Sequence, residues 1–326
     1  MKEKEAAARE TGGRRMKDMI KALLGNRGRR WVFLIGRGWR EIPRVVCDEW
    51  MLCRRMLRDA WEYRSDPDVI LCGLRTAAHM VDKGLQVDEC ERGRGKSPYA
   101  AAKELHRLIE HSEVSSDASY GWATEVISQY EEFQGGGQQR FPKHASLRDD
   151  EVTRETLLQI IKTRRSVRHF SDEPIAEETL RAFADVANWA PSSCNRQPIR
   201  LFITQEAKTV RRCLNQCAGA TCLGTTPCFV AVSGDRRPYT PRDRHLPYVD
   251  VALGLQNMLL LAHAYGIEGT ILNWMHATNE QDRQLRCILG IPQYYEIVVA
   301  LILGYPARGA PPPARKDPMR TYTIVP

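Results

Sequence analysis

Thr163-Arg-Arg-Ser-Val-Arg-His-Phe170 and, one helix later, Ala190-Pro-Ser-Ser-Cys-Asn-Arg-Gln-Pro198 are the two stretches on which the reading of this chain turns. Arg164, Ser166 and Arg168 stand at i, i+2 and i+4 directly after the apolar-patterned helix Thr156–Lys162, so in an extended turn their side chains point to one side. Guanidinium forks bind phosphate oxygens in pairs, and a serine hydroxyl donates or accepts at a ring carbonyl or imide. In the second stretch Pro191 ends a helix, and Ser192, Ser193 and Asn195 follow as a loop of short polar side chains. Together they make a phosphate cradle beside a polar edge that reads a flat ring system. Each stretch also has a plain alternative: a solvated basic helix end for the first and an Asx turn for the second.

Working outward, the chain has 326 residues and 43% hydrophobic content, enough for one large or two smaller domains with a real core. The ten cysteines are irregularly spaced and follow no secretory signal, which predicts reduced thiols and a cytoplasmic protein. The longest apolar run in the first hundred residues, Trp31–Ile35, is far short of the roughly 20 residues that span a bilayer. No transmembrane segment is expected. A net charge of +8 raises nucleic acid as a partner, but Lys and Arg are dispersed and no basic-aromatic recognition motif accompanies them. Nucleic acid is therefore not expected.

Gln134-Gly-Gly-Gly-Gln-Gln-Arg-Phe-Pro-Lys143 has the composition of a connection. It divides a helical N-terminal domain or extension, residues 1–145, from a second domain, residues 146–326. Val45–Trp61 and Ala100–Ile109 carry apolar residues at three- and four-residue steps. Met1–Arg30 reads as a solvated helix, or alternatively as a basic helix making peripheral contact with a membrane surface. In the second domain Ala176–Ala190 is an amphipathic helix stopped by Pro191, and Val249–Tyr265 is apolar nearly all round, so it is buried in the monomer or between subunits. Gly266 closes it in a left-handed conformation. Ile199–Ile203, Cys228–Ser233, Thr270–Asn273 and Glu296–Leu303 read as strands, and Thr278 with Gln281 as a capping box. The fold class is α+β.

Four motifs in order resemble the nitroreductase superfamily of FMN-dependent oxidoreductases: Arg164–Phe170 with Asp172, Ala190–Pro198, Val249-Asp-Val-Ala-Leu-Gly-Leu-Gln-Asn257, and Ala300-Leu-Ile-Leu-Gly-Tyr-Pro306. The resemblance spans Glu151 to Pro326. It implies a three-layer sandwich, a central and mainly antiparallel sheet flanked by helices, preceded here by the all-α N-terminal region. It implies a homodimer with FMN at the interface and NADH or NADPH as electron donor. By that resemblance Arg164, Ser166 and Arg168 hold the phosphate and pyrimidine edge, Pro191, Ser192, Ser193 and Asn195 come from the partner subunit, and Arg165 and Gln197 are further cofactor-binding residues. Thr270 with Ile271, Leu272 and Asn273 lies along the flavin face, with Asn273 the candidate near N5. Arg315 and Lys316, ahead of Pro318, close the phosphate site, although Ala314 stands where the first basic residue often lies. His79–Leu85 with Gly93, Gly95 and Tyr99 resembles an extension of nitroreductase-like proteins from bacterial polysaccharide or natural-product clusters. Its plain alternative is a helix end with Lys83 in the last turn and Gly84 as the C-cap.

No Ser/His/Asp set, H-E-x-x-H or paired carboxylate site is apparent, and flavin chemistry needs none, because the isoalloxazine carries the reaction. Gly36-Arg-Gly38 lacks the third glycine of a dinucleotide fingerprint, Glu41 standing there. Cys213, Cys217, Cys222 and Cys228 lack a C-x-x-C pair and read as small buried hydrophobes rather than metal ligands. His263 and His276 read as core or surface residues. Tyr239–Tyr248 is either a surface loop or a lid whose Arg242, Arg244, His245 and Tyr248 choose a small-molecule substrate. The expected activity is hydride transfer between flavin N5 and a small organic substrate. An oxygen-using flavoenzyme of the same fold and a flavin-free scaffold stand as alternatives.

Overall fold

The computed structural model describes residues 45–88, 90–141, 151–220, 223–275 and 277–325. Met1–Arg30, Gly36–Glu41, Cys222, His276 and the expected boundary at 145/146 lie outside them. The chain forms two compact units, Met1–Arg55 and Met56–Pro326. In the smaller, residues 45–55 are helical. In the larger, residues 56–62 are helical and three long helices follow: α1 (Pro67–Leu85), α2 (Lys96–Ile109) and α3 (Ala118–Gln134). Asp66 starts α1 by accepting from the Asp68 N–H, with Pro67 at the first helical position, and Asp117 starts α3 in the same way. The three helices bury Leu71, Leu74, Ala78, Ala102, Ile109 and Tyr130 against one another. Gly84 is not the C-cap that the sequence suggested. It lies inside the last turn of α1, and Gln86 caps the helix with φ −90°.

After α4 (Glu151–Thr163) the chain alternates helices with strands: α5 (Glu177–Asn188), β1 (Ile199–Thr204), α6 (Ala207–Leu214), β2 (Cys228–Asp235), α7 (Leu246–Ala264), β3 (Glu268–Asn273), α8 (Asn279–Leu289) and β4 (Tyr295–Gly304). The strands form one fully antiparallel sheet in the order β1-β2-β4-β3. Successive side chains of a strand face opposite layers. Accordingly Phe229, Ala231, Ala300 and Ile302 pack with Val210 and Leu285 from α6 and α8, while Val230, Val232, Leu301 and Leu303 pack with Phe183, Val251, Leu255 and Met258 from α5 and α7. This is the expected three-layer α+β sandwich, with helices on both faces. The Thr278–Gln281 capping box is present, and Gly266 takes φ 72° after α7. At Gly254 of α7 a Cβ would lie 2.8 Å from the Ala187 carbonyl oxygen, so the close approach of α5 and α7 requires glycine there.

The helical region and the sheet are locked together at the end of β2 by two adjacent arginines. Arg236, 1% exposed, binds Asp59 at 2.9 Å, Glu296 at 2.6 Å and the Gln293 carbonyl. Arg237 binds Asp66 at 2.9 Å and Asp235 at 2.7 Å, and its guanidinium lies 3.9 Å from the Tyr294 ring centroid. Cys213, Cys217 and Cys228 are buried thiols, and burial pushes each up to about 12. They remain protonated at neutral pH.

Arg236→Met would leave the Glu296 carboxylate without its cation and the buried Asp59 with only the exposed Arg58 as partner. It should lower unfolding stability by about 3–5 kcal/mol, measured by urea denaturation. A loss below about 1 kcal/mol would show that the clamp is not formed.

Candidate functional site

The Arg-rich stretch leaves α4 as an extended segment laid against the outer edge of β3. Ser166 pairs in parallel with Gly269, and the Thr270 hydroxyl donates to the Val167 carbonyl at 2.6 Å. Val167 is buried, which turns Ser166 and Arg168 outward. Arg164 is half-buried, and its side chain makes no ion pair among the described residues. Arg165 is turned back, with its guanidinium donating to the Lys162 and Arg164 carbonyls at the end of α4. A network unseen in the sequence pins the start of the segment: Glu268 accepts from the Arg165 backbone N–H at 3.2 Å and meets His263 Nδ1 at 2.7 Å, while His263 Nε2 lies 2.7 Å from the Thr163 hydroxyl. His263 is therefore a positioning side chain rather than an isolated core residue.

Downstream along β3, Ile271 and Asn273 are exposed and Leu272 is in the core, so Leu272 can offer a ligand only its backbone. The Asn273 side chain accepts from the Met275 N–H at 3.0 Å. Among the described residues the outer edge of β3 has no strand partner beyond the Ser166–Gly269 bridge. The C-terminal segment departs from the same corner, where Ala307 N–H donates to the His169 carbonyl. It carries Arg315 and Lys316 on an exposed stretch.

The second stretch lies elsewhere. Its loop enters β1, at the other edge of the sheet, where Cys194, Asn195 and Gln197 all take positive φ of 53°, 56° and 51°. Each such non-glycine residue is strained by about 1–2 kcal/mol and persists only where its surroundings hold it. Asp250, buried on α7, supplies one hold: it accepts from the Ser193 backbone N–H and hydroxyl, both at 3.0 Å, and from the Tyr239 phenol at 2.7 Å. Burial and the Asp250 hydrogen bond raise the Tyr239 phenol well above its usual range, so it stays a donor. Within the loop Ser192 Oγ accepts from Gln197 N–H, and Gln197 Nε2 donates to Asn195. Neither Asp250 nor Tyr239 was assigned a role from the sequence. Asp250 sat inside a quoted motif, but its partner Ser193 is 57 residues away.

The segment 239–248 packs beside this loop. Arg196 stacks over Tyr239 at 4.9 Å and reaches Asp243 at 3.7 Å. Arg242 and His245 are exposed, and Arg244 and Tyr248 are half-buried near the start of α7. The sequence-derived residues thus fall into two groups. Arg164, Arg165, Ser166, Arg168, Ile271, Leu272 and Asn273 gather along β3, while Pro191, Ser192, Ser193, Asn195, Gln197, Arg242, Arg244, His245 and Tyr248 gather near the entrance to β1. Three inter-strand steps separate the edges, and Ile199 registers through Gly234 with Glu296, whereas Gly269 registers with Leu303 near the far end of β4. The Ser166–Gly269 end of the first group and the loop before β1 occupy diagonally opposite corners of the sheet, on the order of 25 Å apart at about 4.8 Å per strand and 3.3 Å per residue.

Residues 161–221 and 216–305 match the nitroreductase family. A protein of Archaeoglobus fulgidus provisionally named NADH dehydrogenase/NAD(P)H nitroreductase is 28% identical over 156 residues, 47% of this chain and 86% of that one. The FMN reductase [NAD(P)H] of Bacillus subtilis is 25% identical over 166 residues, 46% of this chain and 66% of that one. Among solved structures, a provisionally assigned nitroreductase from Desulfovibrio desulfuricans, crystallised with FMN, covers 52% of this chain and 96% of its own at 23% identity and a TM-score of 0.43.

Asp250→Ala removes the acceptor of three hydrogen bonds that hold the strained loop. It should cost about 2–4 kcal/mol in urea denaturation, with Asp250→Asn losing less because it retains a carbonyl acceptor. Equal stability of the two variants would argue against the charge-assisted hold.

Proposed function

We propose, because residues 161–305 match the nitroreductase family, that the chain is a member of it, an FMN-dependent oxidoreductase working with NAD(P)H. The observation that carries this reading is the Arg164–Arg168 segment lashed to the edge strand β3. It presents Ser166 and Arg168 outward at the head of an edge whose exposed Ile271 and Asn273 continue in line. That arrangement fits FMN: cations and a hydroxyl at one end meet phosphate and pyrimidine, and an open strand edge accepts a flat ring alongside. Bound FMN supplies hydride transfer, which is why the protein needs no acid, base or nucleophile of its own.

In this reading Arg164 and Arg168 neutralise the phosphate, Ser166 meets the pyrimidine edge, Ile271 and Asn273 line the ring near N5, and Leu272 offers its backbone. Arg165 braces the turn by capping α4. Arg315 and Lys316 reach the phosphate from the C-terminal segment, which sets out from the same corner. The loop bearing Pro191, Ser192, Ser193, Asn195 and Gln197 belongs to the same site but comes from a second copy of the chain. Its separation from β3 within one copy supports that assignment, because one FMN cannot touch both corners of a single sheet. Exposed apolar side chains on α4 and α7 and just after α5, Leu157, Leu158, Val249, Leu253 and Trp189 among them, supply a face for a homodimer. Arg242, Arg244, His245 and Tyr248 arrive with that loop and select a small organic substrate, in keeping with a cytoplasmic enzyme of bacterial specialised or surface-polysaccharide metabolism.

The test is an absorbance spectrum of the purified protein with FMN, repeated after anaerobic addition of NADH or NADPH. Oxidised-flavin bands that bleach with nucleotide are expected, and a protein that binds no FMN would overturn the reading. Arg164→Ala should weaken FMN by roughly 1.5–3 kcal/mol in titration, the scale of a charge-assisted phosphate contact. Light scattering should give twice the 37.2 kDa chain mass, and a monomer that still binds FMN tightly would exclude the two-copy site.

A further inference from the structure

The strained loop before β1 is held on its second side by the helical region, which the family match at 161–305 does not reach. Two donors from α1 converge on one acceptor: Arg75 Nη2 donates to the Arg196 carbonyl at 3.1 Å, and the Cys72 thiol points at the same oxygen at 3.4 Å. Arg75 is itself fixed, because its Nη1 donates to the Ser119 hydroxyl at 3.2 Å and that hydroxyl donates to Asp117, the N-cap of α3. The captured carbonyl belongs to the one residue between Asn195 and Gln197, both with positive φ. That carbonyl lies in the peptide joining Arg196 to Gln197, so its rotation would change φ at Gln197, the last left-handed residue of the loop. Cys72 is buried, and burial raises its thiol, so it retains the proton it donates.

We propose that Arg75, assisted by Cys72, is a positioning residue for the flavin site. Through the Arg196 carbonyl, α1 holds Ser193 and Asn195 in the conformation that meets FMN, so the helical region is a working part of the cofactor site. Asp250 grips the loop from α7 and Arg75 grips it from α1, and the loop keeps its strained shape only between the two. The inference rests on the FMN reading above and extends it to residues outside the family match.

The experiment is FMN titration of the full-length apoprotein by flavin fluorescence, on the wild type and on Arg75→Ala, Arg75→Lys, Cys72→Ala and Cys72→Ser, with each variant's melting temperature measured without FMN. Arg75→Ala should raise the Kd about tenfold or more, as loss of a charge-assisted donor implies. Arg75→Lys, which keeps one donor, should recover part of that. Cys72→Ser keeps a donating hydroxyl and should bind more tightly than Cys72→Ala. The apoprotein melting temperatures should stay close to wild type, because what is lost is loop geometry rather than core packing. Wild-type affinity in Arg75→Ala overturns the inference. Should Arg75→Ala fail to fold, equal affinity of Cys72→Ala, Cys72→Ser and wild type overturns it as well. A wild type that binds no FMN overturns the flavin reading itself, and this inference with it.

Discussion

Two consecutive arginines at the end of β2 are the constraint on which the remaining geometry depends. Arg236 and Arg237 join carboxylates from three separated parts of the chain: Asp59 and Asp66 before α1, Asp235 at the end of β2 and Glu296 in β4. Buried ion pairs add little net stability compared with apolar replacements, because desolvation offsets the attraction, but removing one member is severe. The clamp therefore fixes geometry more than it adds stability. It sets α1 beside the entrance to β1, and only in that placement can Cys72 and Arg75 reach the Arg196 carbonyl.

The second organising fact is the opposition of two sheet corners. A cation-bearing segment at the head of β3 and a strained polar loop before β1 are complementary in chemistry yet far apart in one chain. An antiparallel sheet of four strands cannot bring its own diagonal corners together, whereas a two-fold pairing of chains does so without bending either. The helical region stands at the loop corner, where Arg75 and Cys72 of α1 meet the Arg196 carbonyl.

Much of the fold was legible because hydrophobic period is a local signal. The amphipathic Ala176–Ala190 and the all-round apolar Val249–Tyr265 became α5 and α7 within a few residues, and the runs at 199, 228, 270 and 296 became the four strands. The outward alternation of Ser166 and Arg168 around buried Val167 was readable for the same reason, since these residues adjoin. What escaped was long-range pairing between polar residues with no periodic signature. Asp59 with Arg236, Asp250 with Ser193 and His263 with Thr163 are each separated by dozens to well over a hundred residues. Gly84 misled because a glycine beside a lysine resembles a helix end, yet Leu85 after it is buried in the helical core and carries the helix past it. The positive φ values at Cys194, Asn195 and Gln197 were invisible too, since only Asn among them tolerates that conformation readily.

The open edge of β3 has a consequence for how such a site changes over time. A strand with one neighbour carries a second row of backbone N–H and C=O groups that any chain of the same shape would present. A ligand lying along that row is recognised largely by the main chain. Exposed side chains such as those at 271 and 273 can then drift, while the row of main-chain groups stays with the strand itself. Affinity and selectivity are thereby carried by different atoms, and one can be altered without discarding the other.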